Sequence, residues 1–239
     1  MRTRVAVAAL LVVVAACGSD NNSTPVLDTE RAIAAAVDVR TDGCGPREGF
    51  GTGTLITDRL IVTAAHVVAG AAVVSTIDVD GAERSADVVW FDPDLDLAVL
   101  RSETTHPQEP IELHTAAAVA DEVGIVVLPR QQDGEDGGAV EIDVVDVSVV
   151  RRARINTTDI YREVDVTRAG FEVDGSISRG DSGAMVVTAG GGVGIVWARS
   201  NRNEGRAWAI DLPSRVIDET LRSELTDAEP VDVGRCSPR

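Results

Sequence analysis

Three short stretches of this sequence carry side chains able to move protons and attack a carbonyl. Thr63-Ala64-Ala65-His66 closes an apolar run with an imidazole. Asp94-Leu95-Asp96 places acids just before the apolar run 97–100, and Gly180-Asp181-Ser182-Gly183 sets a hydroxyl between glycines. A serine hydroxyl is too weak an acid to attack an amide unaided and needs a base within hydrogen-bond reach. Histidine is a base of the right strength near neutral pH. A carboxylate behind it fixes the tautomer and stabilises the imidazolium that forms. Taken singly, each stretch also has a plainer reading: a polar strand end, an acidic turn, a glycine turn in an acidic, glycine-rich chain. Occurring together, they describe the parts of a nucleophilic hydrolase.

Such parts must be held by a framework, and the chain supplies one rich in short β-prone runs. These fall at 51–57, 60–63, 73–79, 86–91, 97–101 and 123–128, then at 140–150, 160–167, 184–188, 193–198 and 207–210. Many short strands separated by turn signals predict an antiparallel barrel or sandwich. Aromatic residues are only 3% of the 239, so the core must be built from Val, Ile, Leu and Ala, which suits sheet packing. Near the end, Pro213 opens a segment in which Val216, Ile217, Leu221 and Leu225 recur at helical spacing, predicting one amphipathic C-terminal helix over 213–225. The glycine-rich acidic stretch 131–138 reads as a solvated loop, and the whole as one architectural unit.

In the order His66, Asp, Ser182, the three motifs resemble the trypsin-like (chymotrypsin-fold) serine protease family. The α/β-hydrolases run Ser, acid, His and the subtilisins Asp, His, Ser, so the threading separates them. Gly49-Phe50-Gly51-Thr52-Gly53-Thr54-Leu55-Ile56 ahead of the histidine, and Trp208-Ala209-Ile210 with Pro213, are similar to the bacterial HtrA-like branch, here without the PDZ domain that usually follows. The resemblance covers roughly 49–225. It implies an all-β fold of two antiparallel six-stranded barrels with a C-terminal helix, and a serine endopeptidase working through an acyl-enzyme on protein or peptide substrates. Asp96, immediately before the apolar run, takes the position of the family's acid in preference to Asp94 or Asp92. The backbone N–H groups of Gly180 and Ser182 are the implied oxyanion hole.

By the same resemblance Ser176 lies at the base of the primary specificity pocket and Val196-Trp197-Ala198 along its wall. With no acid at the base, and Ala198 narrowing the entrance, a small or medium apolar side chain is the expected occupant. The chain departs from its relatives at Asp181. In zymogen-activated members a freed N-terminal amine pairs with this acid, but no Ile-Val-Gly-Gly-like segment exists here, so Asp181 requires another partner or none.

Composition excludes several other chemistries. Every one of the 22 basic residues is arginine, so Schiff-base lysine enzymes, Ser–Lys dyads and Walker-type phosphate loops are ruled out. A net charge of −17 argues against nucleic acid as a partner. With three histidines and no Cys-x-x-Cys spacing, no metal site and no cofactor are expected. His106 and His114, in a Pro- and Glu-containing segment without a motif, read as surface residues.

The first residues belong to export rather than to the fold. Arg2 and Arg4 precede an unbroken apolar run, 5–16, that ends in small residues before Cys17. Twelve helical residues reach roughly 18 Å, short of the ~30 Å hydrocarbon core, so the run is not a spanning helix. Val14-Ala15-Ala16-Cys17 resembles a bacterial lipobox, which makes Cys17 the expected lipidation site and 1–17 a signal peptide. The protein is then an exported, lipid-anchored one outside the cytoplasm, with 18–44 as tether and N-terminal segment and the protease domain over 45–239. Export also favours a disulfide between Cys44 and Cys236. Two other functions use the same residues: an inactive protease-fold binding or sensor lipoprotein, and an esterase-like or self-processing serine hydrolase.

Overall fold

The computed structural model describes residues 26–45, 49–131 and 140–238. The signal peptide with Cys17, the tether up to residue 25 and most of the acidic stretch 131–138 lie outside the described residues. Among the described residues, no helix is long and apolar enough to cross a membrane.

Twelve strands close into two antiparallel barrels of six. The first barrel comprises β1 (Ala36–Asp42), β2 (Gly49–Leu55), β3 (Leu60–Thr63), β4 (Val73–Asp78), β5 (Glu83–Asp92) and β6 (Leu97–Ser102), in the closed order β1-β2-β3-β6-β5-β4. The second comprises β7 (Val123–Gln131), β8 (Val140–Thr158), β9 (Asp165–Asp174), β10 (Met185–Thr188), β11 (Gly191–Arg199) and β12 (Arg206–Asp211), in the order β10-β11-β12-β9-β8-β7. The buried residues are mostly β-branched and aliphatic, among them Val37, Leu60, Ile61 and Leu100 in the first barrel and Val126 and Val173 in the second, where Phe171 is also fully buried.

Several elements differ from the sequence expectation. The first barrel starts earlier than residue 45: α1 (Thr29–Ala35), capped by Asp28, leads into β1, which pairs with both β2 and β4 and closes the barrel. Of the run 160–167 only 165–167 is strand, the start of β9. Asp159 accepts from the N–H of Glu163 at 2.7 Å and folds the chain into a turn between β8 and β9. The C-terminal helix is broken into α3 (Ser214–Ile217) and α4 (Glu219–Ser223) because Asp218 leaves the helix and caps the second piece through the N–H of Leu221. His106 is buried rather than exposed, its Nδ1 at 2.8 Å from Asp78, and His114 is half-buried.

The chain end returns to the first barrel. Val231 donates to the Val88 carbonyl and Gly70 to that of Val233, and Cys236 is joined to Cys44 by a disulfide across 192 residues of sequence.

Candidate active site

The imidazole is placed by the junction of β3 with the short helix α2 (Ala65–Val68), where His66 sits in the first turn. The acid comes from the turn between β5 and β6. There Asp92 accepts from the N–H groups of Asp94 and Leu95, bending the chain, and Asp96 follows with φ of +60°. A left-handed conformation is costly for a residue other than glycine and persists only where its surroundings enforce it. Here they do. The His66 backbone N–H donates to Asp96 Oδ1 at 2.8 Å, and His66 Nδ1 lies 2.9 Å from Oδ2. Arg168, 1% exposed on β9, donates from Nε to the Asp94 carbonyl at 2.7 Å and from its guanidinium to that of Thr158. The same guanidinium lies 4.9 Å from the centre of the Trp197 ring.

These contacts set the charge state. Burial alone would lower the His66 pKa, but the adjacent Asp96 carboxylate and its hydrogen bond outweigh it, so the imidazole is raised above its ordinary value. Burial would likewise raise Asp96, and the His66 charge and hydrogen bonds, with Arg168 nearby, bring it below the usual carboxylate range. With Nδ1 engaged by Asp96, Nε2 is the nitrogen left for chemistry.

The nucleophile's turn is shaped by glycines. Gly180 has φ of +97°, and a Cβ there would come within 2.7 Å of the Phe50 ring. Gly183, φ +90°, lies so close to the first barrel that a Cβ would meet the Thr52 carbonyl at 2.2 Å. That close approach lets the Thr52 N–H donate to the Ser182 carbonyl at 2.9 Å and the Thr52 hydroxyl to that of Gly180 at 3.1 Å, tying the turn to β2. Among the described residues, the N–H groups of Gly180 and Ser182 have no acceptor. Asp181, wholly buried, accepts from the Ser178 N–H at 2.6 Å and from the Arg130 guanidinium on β7. The open partner of Asp181 is therefore an internal arginine. Burial still pushes the Asp181 carboxyl above its ordinary value, with Ser178 and Arg130 opposing.

His66, Gly180 and Ser182 line one cleft of about 290 Å³, together with Phe50, Val67 and Arg179. A larger depression of about 810 Å³ lies between α1, the inter-barrel segment 110–115 and the C-terminal helices, and it contains none of the predicted site residues. Among the described residues the Ser182 hydroxyl makes no hydrogen bond; such contacts are often long without substrate and tighten when it binds. Of the expected pocket residues, Ser176 lines a neighbouring cleft, Val196 is buried, accepting from the Gly183 N–H, and Trp197 and Ala198 are half-buried. Arg168 and Arg130 were invisible to sequence reasoning, because nothing in their neighbourhoods names a partner some 70 or 50 residues away.

Comparison with known proteins gives a family and a fold. A family model described as a trypsin-like peptidase domain matches residues 51–195. Serine protease Rv3671c of Mycobacterium tuberculosis is 30% identical over 188 residues, covering 78% of this chain, which spans less than half (44%) of that relative's length. In fold, the active-form crystal structure of the Rv3671c protease superposes with a TM-score of 0.74 at 23% identity, covering 87% of this chain and 88% of that one. The HtrA-type protease AlgW, solved with a tripeptide, gives 0.63 at 23% identity, covering 82% and 62%.

Proposed function

Since the chain belongs to the trypsin-like peptidase family, we propose that it is an HtrA-like serine endopeptidase that cuts protein or peptide substrates through an acyl-enzyme, and that it is exported and held outside the cytoplasm by a lipid on Cys17. The observation that carries the catalytic reading is the His66–Asp96 pair opening into the same cleft as Ser182.

Each residue has one task. Ser182 Oγ attacks the scissile carbonyl while His66 Nε2 takes its proton, and His66 then returns that proton to the leaving amine. Asp96 holds the imidazole with Nδ1–H toward it and stabilises the cation during transfer. The unpartnered N–H groups of Gly180 and Ser182 receive the oxyanion, a donor pair of the kind whose loss costs about 2.7–4 kcal/mol per member. Water then repeats the sequence on the acyl-enzyme, restoring Ser182.

A fluorophosphonate probe tests this directly. Labelling of the wild type and none of Ser182→Ala is the expected result; an unlabelled wild type assigns the fold to a binding or sensor protein instead. Labelling with ester turnover but no peptide cleavage would favour the esterase reading. For the anchor, Cys17→Ser is expected to move the protein from the membrane fraction to the soluble one.

A further inference from the structure

Most arginines of this acidic chain are spent on internal carboxylates or carbonyls, yet several around the catalytic turn are not. Among the described residues, Arg179, Arg199 and Arg202 have no ion pair and no side-chain hydrogen bond. Arg179 lines the catalytic cleft beside His66 and Ser182. Arg199 and Arg202, with Arg206, line an adjoining cleft of about 530 Å³ whose opposite wall is Ser176, Ile177 and Ser178. The chain from 176 to 182 runs from one cleft to the other: Ser176, Ile177 and Ser178 line the second, and Arg179, Gly180 and Ser182 line the catalytic one.

The placement of these arginines follows from the strands. Arg199 ends β11 opposite Ala207, and Arg206 begins β12, so the hairpin between them carries all three. A backbone bond from Gly175 to the Gly205 carbonyl docks this hairpin against the segment leading into Ser176, and one from Ser200 to the Arg206 carbonyl closes the hairpin itself. Two acids lie at or near the cleft. Glu204 lines it. Glu172, buried behind, accepts from Arg151 at 2.8 Å and stands 3.8 Å from Arg206, so its charge is already met by Arg151. The lining is otherwise polar, with Ile177 its one apolar side chain. A small apolar occupant, the expectation from Ser176 and Ala198, has little to pack against.

We infer that this cleft receives an aspartate or glutamate side chain of the substrate, at the residue whose carbonyl Ser182 attacks. The inference rests on the protease reading above and names its substrate class. A guanidinium meets a carboxylate with paired, charge-assisted hydrogen bonds, and the cluster concentrates acidic peptide locally against a molecule whose net charge of −17 repels it.

The test is the full-length protein on a peptide library, with every cut site sequenced, alongside fluorophosphonate labelling. The expected result is an excess of Asp and Glu at the cleaved position, with kcat/KM at least about tenfold above the alanine counterpart and the ratio falling as salt is added. Arg206→Ala and the more exposed Arg199→Ala are each expected to shrink the acid-to-alanine ratio, and Arg206→Glu to move cleavage toward arginine. An enzyme that labels but cuts without excess of acidic residues, or one whose acid preference survives both alanine variants, overturns the substrate assignment and leaves the protease standing. An enzyme that neither labels nor cuts overturns both.

Discussion

The two halves of the candidate active site are each held by one arginine, in opposite ways. On the acid side, Arg168 is buried and touches no carboxylate directly; it grips the turn before Asp96 through the carbonyls of Asp94 and Thr158 and lies against Trp197. On the nucleophile side, Arg130 is about a third exposed (34%) and meets the buried Asp181 carboxylate head-on. The first brace is mainly one of shape, since carbonyl contacts inside the protein neither titrate nor feel salt. The second is one of charge, and it can be weakened by protonation, by ionic strength or by loss of one partner. The positioning of Asp96 and the shaping of the turn at Ser182 are therefore separable in this molecule.

Substitutions can break that separation, beginning with the largest effect. Asp96→Asn leaves the turn in place but no longer fixes the tautomer, and kcat is expected to fall by about 10⁴ in a peptide cleavage assay. If it falls only a fewfold, the acid is elsewhere in the 92–96 turn. Arg168→Leu strands buried carbonyls on both sides of the barrel interface and is expected to cost about 3 kcal/mol in chemical denaturation, with activity lost in proportion to misplacement of Asp96. Arg130→Gln leaves the buried Asp181 charge unpaired; discounting a buried pair for the exposure of Arg130 gives about 2 kcal/mol. Its distinguishing mark is pH. Burial already raises the Asp181 carboxyl, and without Arg130 it rises further, so this variant but not Arg168→Leu should show the acid proton at higher pH by NMR.

The smallest effect is the wild type's own pH profile. Catalysis needs neutral His66, whose pKa is raised, so activity must fall at a pH above the ~6.5 of an isolated imidazole as the medium is acidified. The stability signs follow. The raised His66 contributes stability in acid, and that contribution is lost as pH rises through its folded pKa. The lowered Asp96 contributes above the ordinary carboxylate range, and its share is lost as pH falls through its folded pKa. A salt titration would sharpen the contrast: stability differences between wild type and Arg130→Gln should shrink with salt, those of Arg168→Leu should not.

What could be read from the sequence was whatever is local. His66, Asp96 and Ser182 sit in turns whose neighbours announce them, and runs such as 60–63 and 97–101 are apolar enough to declare themselves strands. β1 escaped notice because its buried face carries Asp38 and its flanks look like tether; only pairing with β2 and β4 makes it a strand. The turn at 159–164 has no Gly or Pro to mark it and depends on one Asp159 side chain. His106 looked exposed because its neighbours are polar, while the partner that buries it, Asp78, is 28 residues away. Both bracing arginines failed to show for the same reason. A guanidinium's role is set by what the fold brings to it, and nothing in its own neighbourhood records that.

The disulfide makes residues 44–236, in covalent terms, a closed ring. Cys44 and Cys236 enclose all three candidate catalytic residues and eleven of the twelve strands, β2 to β12. A single backbone cut anywhere inside that ring opens the chain without dividing it, so clipped and intact protein have the same mass save one water. On a gel the clipped form should run as one full-length species until thiol is added and as two fragments afterwards. One accidental cut inside the ring therefore does not release half of the molecule.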